Sequence, residues 1–254
     1  MTEAHGVEDL PMPALAGIQL LALWERAAGR HPIDRAVDTI AAAFPDFDVE
    51  SIRLLPLGER DIALLKVRRA TVGDTLEARA ACPTCDAEVE LAVSCMDLVS
   101  GHEPTLTTWT LTEQGYRLVL RPLNSLDAAA AATATNPDAA RSVLLARAVV
   151  EATRGRHAVD AAELPTSVVD EISRSLGERD PGADLVLEFR CPDCKSNWSD
   201  SLDVASFVTA ELSAAGRRLL GEIDLLARAY GWPEPDILAL GDARRAAYVA
   251  LVMG

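Results

Sequence analysis

Leu76-Glu77-Ala78-Arg79-Ala80-Ala81-Cys82-Pro83-Thr84-Cys85 and Leu185-Val186-Leu187-Glu188-Phe189-Arg190-Cys191-Pro192-Asp193-Cys194 read as two versions of one unit. In each, apolar and polar residues alternate up to a Cys-Pro-x-Cys turn, the pattern of a strand with one buried face. Beyond the first turn Val89, Leu91 and Val93 alternate again, and beyond the second the run from Trp198 to Leu202 leads out. Met96-Asp97-Leu98 answers Leu202-Asp203-Val204. Each unit is therefore expected to be strand, knuckle, strand, and the pair to be two zinc-ribbon halves related by a pseudo-dyad.

A thiolate pair two residues apart can hold one edge of a tetrahedral ion, and two such pairs complete the coordination sphere. Cys82, Cys85, Cys191 and Cys194 are thus the candidate ligands of a single structural zinc. The competing readings are small core hydrophobes or a redox dithiol. A redox dithiol needs only one pair, so the repetition favours the metal. The two pairs are separated by 105 residues, against ~15–20 in an ordinary ribbon; a whole subdomain has to sit inside this one. Four thiolates leave no open position for water, so the ion would contribute folding energy rather than a hydroxide nucleophile. Cys95, past the first outgoing strand, reads as a buried core residue.

Composition narrows the function class. Hydrophobic residues make up 49% of the 254 residues but aromatics only 4%, so the core must be built mostly from Ala, Leu and Val, which favours helices. A net charge of −15 and a pI near 4.7 argue against a nucleic-acid partner, because such binding is driven by clustered Lys and Arg. Arg217-Arg218 and Arg244-Arg245 sit among apolar helical residues and read as solvated or ion-paired faces. The apolar run from Leu15 to Trp24 follows Glu3, Glu8 and Asp9 and is too short to span a bilayer; a cytoplasmic protein with no membrane insertion is expected. In that compartment paired cysteines are metal ligands more often than disulfides. His5, His31, His102 and His157 have no metal-ligand spacing, and no zincin motif, phosphate loop or nucleophile elbow occurs. No enzyme is expected.

The expected class is α+β, mostly helical. Residues 1–73 form an N-terminal helical region, with helices over Ala14 to Ala28, Ile33 to Ala43 and Glu59 to Ala70. Residues 74–98 and 183–203 are the two knuckle units. The insert, 99–182, opens with strands Thr105 to Leu111 and Tyr116 to Arg121. It continues in helices begun by Ser125-Leu126-Asp127, by Asn136-Pro137-Asp138 and running to about Arg154, and from Thr166 to Leu176 with a stop at Gly177. Residues 204–254 hold the longest helix, Val204 to Tyr230, with Gly216 and Gly221 marking close packing or a bend. Two short helices follow, Glu234 to Leu240 and Asp242 to Met253. Trp24 and Trp198 read as core residues, whereas Trp232 sits at a helix break between Gly231 and Pro233.

One composite pattern goes beyond composition. The long helix ends in Tyr230-Gly231-Trp232, followed by Ile237-Leu238 and by Arg244-Arg245-x-x-Tyr248. Upstream stand Trp24-Glu25, His31-Pro32-Ile33-Asp34-Arg35-Ala36, Leu57-Gly58-Glu59-Arg60-Asp61 with Leu64-Leu65, and Tyr116-Arg117-Leu118 with Pro122-Leu123-Asn124-Ser125-Leu126-Asp127. In this order they resemble baseplate-associated proteins of contractile phage tails and related injection systems, grouped with the baseplate hub assembly chaperones of T-even-type phages. The resemblance implies a non-enzymatic component that helps assemble, or stays within, a baseplate or hub, with hub and baseplate proteins as partners. Tyr230, Trp232, Arg244, Arg245 and Tyr248 are the candidate contact residues. The competing class is a zinc-ribbon regulator acting on nucleic acid or the transcription machinery, which the missing basic surface disfavours.

Overall fold

The computed structural model describes residues 14–100, 102 and 107–254. In chain order the elements are α1 (Gly17–Ala27), α2 (Pro32–Ala43), α3 (Val49–Leu54), α4 (Leu57–Val72), β1 (Thr75–Ala81), β2 (Glu88–Ser94) and α5 (Cys95–Val99). The insert follows with β3 (Trp109–Glu113), β4 (Tyr116–Leu120), α6 (Ser125–Ala132), α7 (Pro137–Ala148), β5 (Val149–Arg154), β6 (His157–Ala158) and α8 (Thr166–Arg179). Then come β7 (Val186–Arg190), β8 (Asn197–Ser201), α9 (Val204–Tyr230), α10 (Glu234–Leu238) and α11 (Asp242–Met253). Helix accounts for 57% of the chain and strands in small sheets for 19%, so the class is α+β.

α4 occupies the middle of the molecule. The helix expected over Glu59 to Ala70 carries charges, yet Arg60, Asp61, Ile62, Ala63, Leu64 and Leu65 are buried in succession. A helix enclosed on all sides can keep charges only as pairs. Arg60 Nε and Nη2 both lie 2.7 Å from Asp61 Oδ1. Arg68 donates to both carboxylate oxygens of Glu211 on α9, at 2.7 and 3.0 Å, and to the Gly73 and Thr75 carbonyls at 2.5 and 2.7 Å. That one guanidinium fixes the first hairpin to both α4 and α9. α1, α2, α4, the two knuckle hairpins and the start of α9 share the main hydrophobic cluster. Gly216 permits the approach of α1 to α9: a Cβ there would stand 2.9 Å from the Leu20 carbonyl oxygen and from Trp24 Cβ, whereas Gly221 faces nothing within 4 Å. α3 is an element that its length hides from periodicity; Asp48 starts it by accepting the Ser51 N–H.

The insert is less helical than its sequence implies. The helix expected to reach Arg154 stops at Ala148, and Val149–Arg154 becomes β5, paired from Tyr116 opposite Arg154 to Leu120 opposite Val149. Val149, Val150 and Thr153 are β-branched, and the open edge of β4 offers their backbone a ladder, so pairing overrides local helical preference. A four-stranded antiparallel sheet results, in the order β3-β4-β5-β6. Together with α8 it has its own core of Trp109, Tyr116, Leu118, Leu120, Ala152, Leu164, Val168 and Ile172. The first of these strands begins at Trp109, and Thr105 and Leu106 lie outside the described residues. The cap of α6 is Asn124 with Asp127 completing the capping box, one residue before the Ser125 start read from sequence.

Two parts of the insert, the link between β4 and α6 and its C-terminal end, grip the start of α4. Leu57 N–H donates to the Leu123 carbonyl at 2.9 Å. α8 runs through Gly177 and ends at Asp180, whose Oδ2 accepts the Gly58 N–H at 3.1 Å. A Cβ on Gly58 would lie 2.0 Å from Asp180 Oδ1, and one on Gly182 would lie 3.0 Å from Gly58 Cα, so the contact requires glycine on both sides. α10 and α11 fold back on the far end of α9 around Leu21, Leu219, Ile223, Leu226 and Ile237. Among the described residues no helix is long and apolar enough to cross a membrane.

Burial pushes the Asp61 carboxyl up to about 6; Arg60 opposes the shift, while Asp203 and Asp180 add to it. Between about pH 4 and 6 the folded chain therefore holds a proton that the unfolded chain has released, and this site contributes more stability as the pH falls through that window. Urea unfolding at pH 7.5 and 5 should show Asp61→Asn losing about 1 kcal/mol more than the parent on acidification; an equal response in both would refute the shift.

Candidate metal centre

β1 and β2 pair from Thr75 opposite Ser94 to Ala81 opposite Glu88, and β7 and β8 from Val186 opposite Ser201 to Arg190 opposite Asn197. Each knuckle closes its hairpin with the same two backbone bonds. Cys82 N–H donates to the Ala87 carbonyl and Asp86 N–H to the Cys82 carbonyl, both at 2.9 Å; the counterparts are Cys191 to Ser196 at 2.9 Å and Lys195 to Cys191 at 3.2 Å. Asp86 and Lys195, directly after the second cysteine of each turn, share the left-handed conformation, with φ of 59° and 65°. Both hairpins then deliver the chain into a helix: Ser94 caps α5 by accepting the Asp97 N–H, and Asp203 caps α9 by accepting the Ser206 N–H.

The turns bring together the four thiols that the sequence singled out. The four Sγ atoms all lie within 4.8 Å of one another. Cys82 Sγ stands 3.6 Å from Cys194 Sγ, and Cys85 Sγ 3.6 Å from Cys191 Sγ. These contacts are far too long for a disulfide bond of about 2.05 Å, and all five cysteines are free. A tetrahedral ion with metal–sulfur bonds of about 2.3 Å needs sulfurs about 3.8 Å apart. The donor set therefore fits a four-thiolate metal, and zinc is compatible with it. Cys82 and Cys191 are buried within the main cluster, while Cys85 and Cys194 face outward. Phe189 stacks on Trp198 at 5.2 Å across the second hairpin.

Ser196 is a member of the site that the sequence did not mark. Its hydroxyl is 3.2 Å from Cys82 Sγ and 3.1 Å from Cys194 Sγ. Hydrogen bonding to Ser196, reinforced by the Thr84 and Cys85 amides against the effect of burial, lowers the Cys82 thiol to about 6. The Ser196 hydroxyl and amide likewise lower Cys194. At Cys85 the Ala87 amide pulls downward, but proton sharing with Cys194 and Cys191, together with burial, pushes the thiol up to about 12. Four adjacent thiolates repel one another strongly in the absence of a cation, so the cluster retains protons that an arriving metal would displace. The position matching Ser196 in the first knuckle is Ala87, so the pseudo-dyad is broken at this hydroxyl.

The model of the T4 bacteriophage base plate protein family matches residues 19–208. The chain belongs to this family. No curated protein and no solved structure matches it. The matched span runs from α1 into the first turn of α9 and takes in both knuckles and the whole insert. It contains the His31 to Ala36, Leu57 to Asp61 and Pro122 to Asp127 stretches of the resemblance; the C-terminal pattern lies beyond it.

That C-terminal pattern is one physical cluster. Tyr230 and Trp232 stack with ring centroids 4.7 Å apart, and Tyr248 meets both edge-on at 5.7 and 4.9 Å. Arg244 lies over the Tyr248 ring at 6.0 Å. Arg245 turns inward, bonded to Glu222 and Asp242 at 2.8 Å each, with its side chain 12% exposed. Cys95 is buried, 3.6 Å from Arg68 Nη1, and burial raises its thiol pKa against the pull of that guanidinium.

A left-handed φ strains residues with a Cβ, most of all β-branched ones. Lys195→Val should lower stability by about 1–2 kcal/mol, whereas Lys195→Gly should leave it level or slightly raised. Chemical denaturation of both variants measures the difference, and equal losses would contradict the strained turn.

Proposed function

We propose that this protein is a non-enzymatic, zinc-stabilised structural or assembly component of the baseplate or hub of a phage-tail-like contractile injection machine. The family match across both knuckles and the insert carries the reading. The chemistry of the thiol cluster supports it, because a closed four-sulfur sphere holds chain segments together and leaves zinc no position for a substrate. On this reading Cys82, Cys85, Cys191 and Cys194 ligate one zinc. The ion ties the hairpin before the insert to the hairpin after it, and so helps fix the insert against α4.

The contact with hub or other baseplate proteins is assigned to the end of α9 and to α11. Tyr230, Trp232 and Tyr248 present stacked rings, and Tyr230 is 40% exposed; aromatic and Arg side chains of this kind dominate binding energies at interfaces. Tyr230, Trp232, Arg244 and Tyr248 form the contact, and Arg245 holds α11 in place behind them. A chaperone-like role and a permanent place in the particle differ in one observable, the presence of the protein in purified, assembled particles; mass spectrometry of those particles decides between them.

Elemental analysis of the purified chain should find close to one zinc per monomer. Cys82→Ser should release it and destabilise the fold by several kcal/mol, as expected when metal affinity is folding energy. Two zincs, or none in a stable reduced protein, would contradict the shared site. For the contact, Trp232→Ala in the full chain should weaken binding to a purified hub or wedge protein by at least about tenfold while zinc content stays at one. Unchanged binding by the folded variant rules that surface out.

A further inference from the structure

Trp24 reads as a core residue from sequence, yet it packs against none of the three hydrophobic clusters of the described residues. It lies instead in a groove of about 510 Å³ at the junction of α1, α2 and α9, lined by Trp24, Glu25, Ala28, Arg35, Ser213 and Arg217 among others. Gly216 lets the Leu20 backbone and the Trp24 Cβ approach α9 closely, and Ser213 and Arg217 stand one turn apart on the same face of that helix. The volume suits one or two side chains of a partner.

The groove carries positive charge that no described carboxylate pairs with. Neither Arg35 nor Arg217 forms an ion pair with a described residue, and Arg217 is exposed. Arg35 has its Nε buried without any hydrogen-bond partner. An unsatisfied buried donor costs about 1–3 kcal/mol, and an incoming acceptor relieves it. Glu25 is the one carboxylate in the lining, so the groove is positive by one charge. Two guanidiniums beside an indole provide the bidentate carboxylate recognition and the apolar platform found together at interface anchors.

We propose that this groove docks an acidic segment of a partner protein, with a Glu or Asp carboxylate on Arg35 and Arg217 and a neighbouring apolar side chain on Trp24. The net charge of −15 repels a polyanion such as nucleic acid, whereas one carboxylate flanked by apolar residues needs only these local cations. The surface is separate from the C-terminal aromatic cluster: Arg217 and Tyr230 are thirteen residues apart on α9, about 20 Å along its axis. Its test therefore stands whether or not the aromatic contact does.

The zinc-loaded, ¹⁵N-labelled full chain is titrated with a blocked hexapeptide of alternating glutamate and leucine, and the indole N–H signal of Trp24, assigned with Trp24→Phe, is followed. The signal is expected to shift saturably, while the indole signals of Trp109, Trp198 and Trp232 hold still and report an intact fold. The double variant Arg35→Gln, Arg217→Gln should weaken the response at least about tenfold, as should replacing glutamate by glutamine in the peptide or adding salt. No shift at millimolar peptide, an undiminished response in the folded double variant, or an equal response to the glutamine peptide would overturn the proposal. So would tighter binding of a thymidine decamer. Arginine-dependent self-association in sedimentation would also overturn it, by making a second copy of the chain the occupant.

Discussion

The constraint around which this fold is arranged is the convergence of two thiol pairs across 105 intervening residues. A cross-link closing a loop of that length removes roughly 4–5 kcal/mol of unfolded-chain entropy in the chain-entropy account, comparable to the whole net stability of many domains. The hairpins meet inside the main hydrophobic cluster, with Cys82 and Cys191 fully buried there. The thiols are therefore surrounded by packed apolar residues of both chain halves, and their mutual position is fixed by Leu76, Val89, Leu187 and Phe189 as well as by any ion. A metal arriving at such a site finds its donors already within 4.8 Å of one another.

The insert needs anchors of its own, because its sheet and α8 enclose a separate core. The fold supplies them at the first turn of α4. Leu57 and Gly58 donate to Leu123 and Asp180 respectively, so the link between β4 and α6 and the C-terminal end of the insert are held at adjacent residues of one helix. The arrangement brings Asp180 close to Asp61, and it is part of what keeps the Asp61 carboxyl above its usual range. The polar contacts that position the insert thus share electrostatics with the buried pair at the centre of α4.

Much of this was legible in the sequence where periodicity and repetition agree. The knuckle turns, their flanking strands, the long α9 and the capped start of α2 are all local: alternation, a Cys-Pro-x-Cys turn, a 3.6-residue stripe and a His31-Pro32 start carry the information within a few residues. What was hidden is non-local. Val149–Arg154 becomes a strand because β4 offers an edge, and Trp24, whose Cβ sits against Gly216 of α9, belongs to none of the three clusters of the described residues. The Glu59 to Ala70 helix was legible, but the burial of Arg60, Asp61 and Arg68 within it was not, because it depends on the elements packed around Ile62, Ala63, Leu64, Leu65 and Val67. At the candidate site the four cysteines were evident from spacing, while Ser196 was not, because a hydroxyl two residues past a knuckle resembles any other turn residue.

α9 connects these features. Two residues separate it from β8, so its first turn follows directly from the second knuckle through Leu202 and the Asp203 cap. Its 27 residues extend about 40 Å, passing Glu211, which receives Arg68, then the Trp24 groove at Ser213 and Arg217, and ending at the stacked Tyr230 and Trp232. α9 is continuous with the second knuckle hairpin at one end and packs along its length on α1, α2 and α4. If a metal cross-links the hairpins, as proposed, a change at the thiols would reach α9 as a shift of a packed element. On the proposed reading, metal occupancy would set the spacing and angle between the acidic-segment groove and the aromatic contact. The zinc then governs how two partners are presented to each other, a role that requires a closed coordination sphere and no chemistry at the metal.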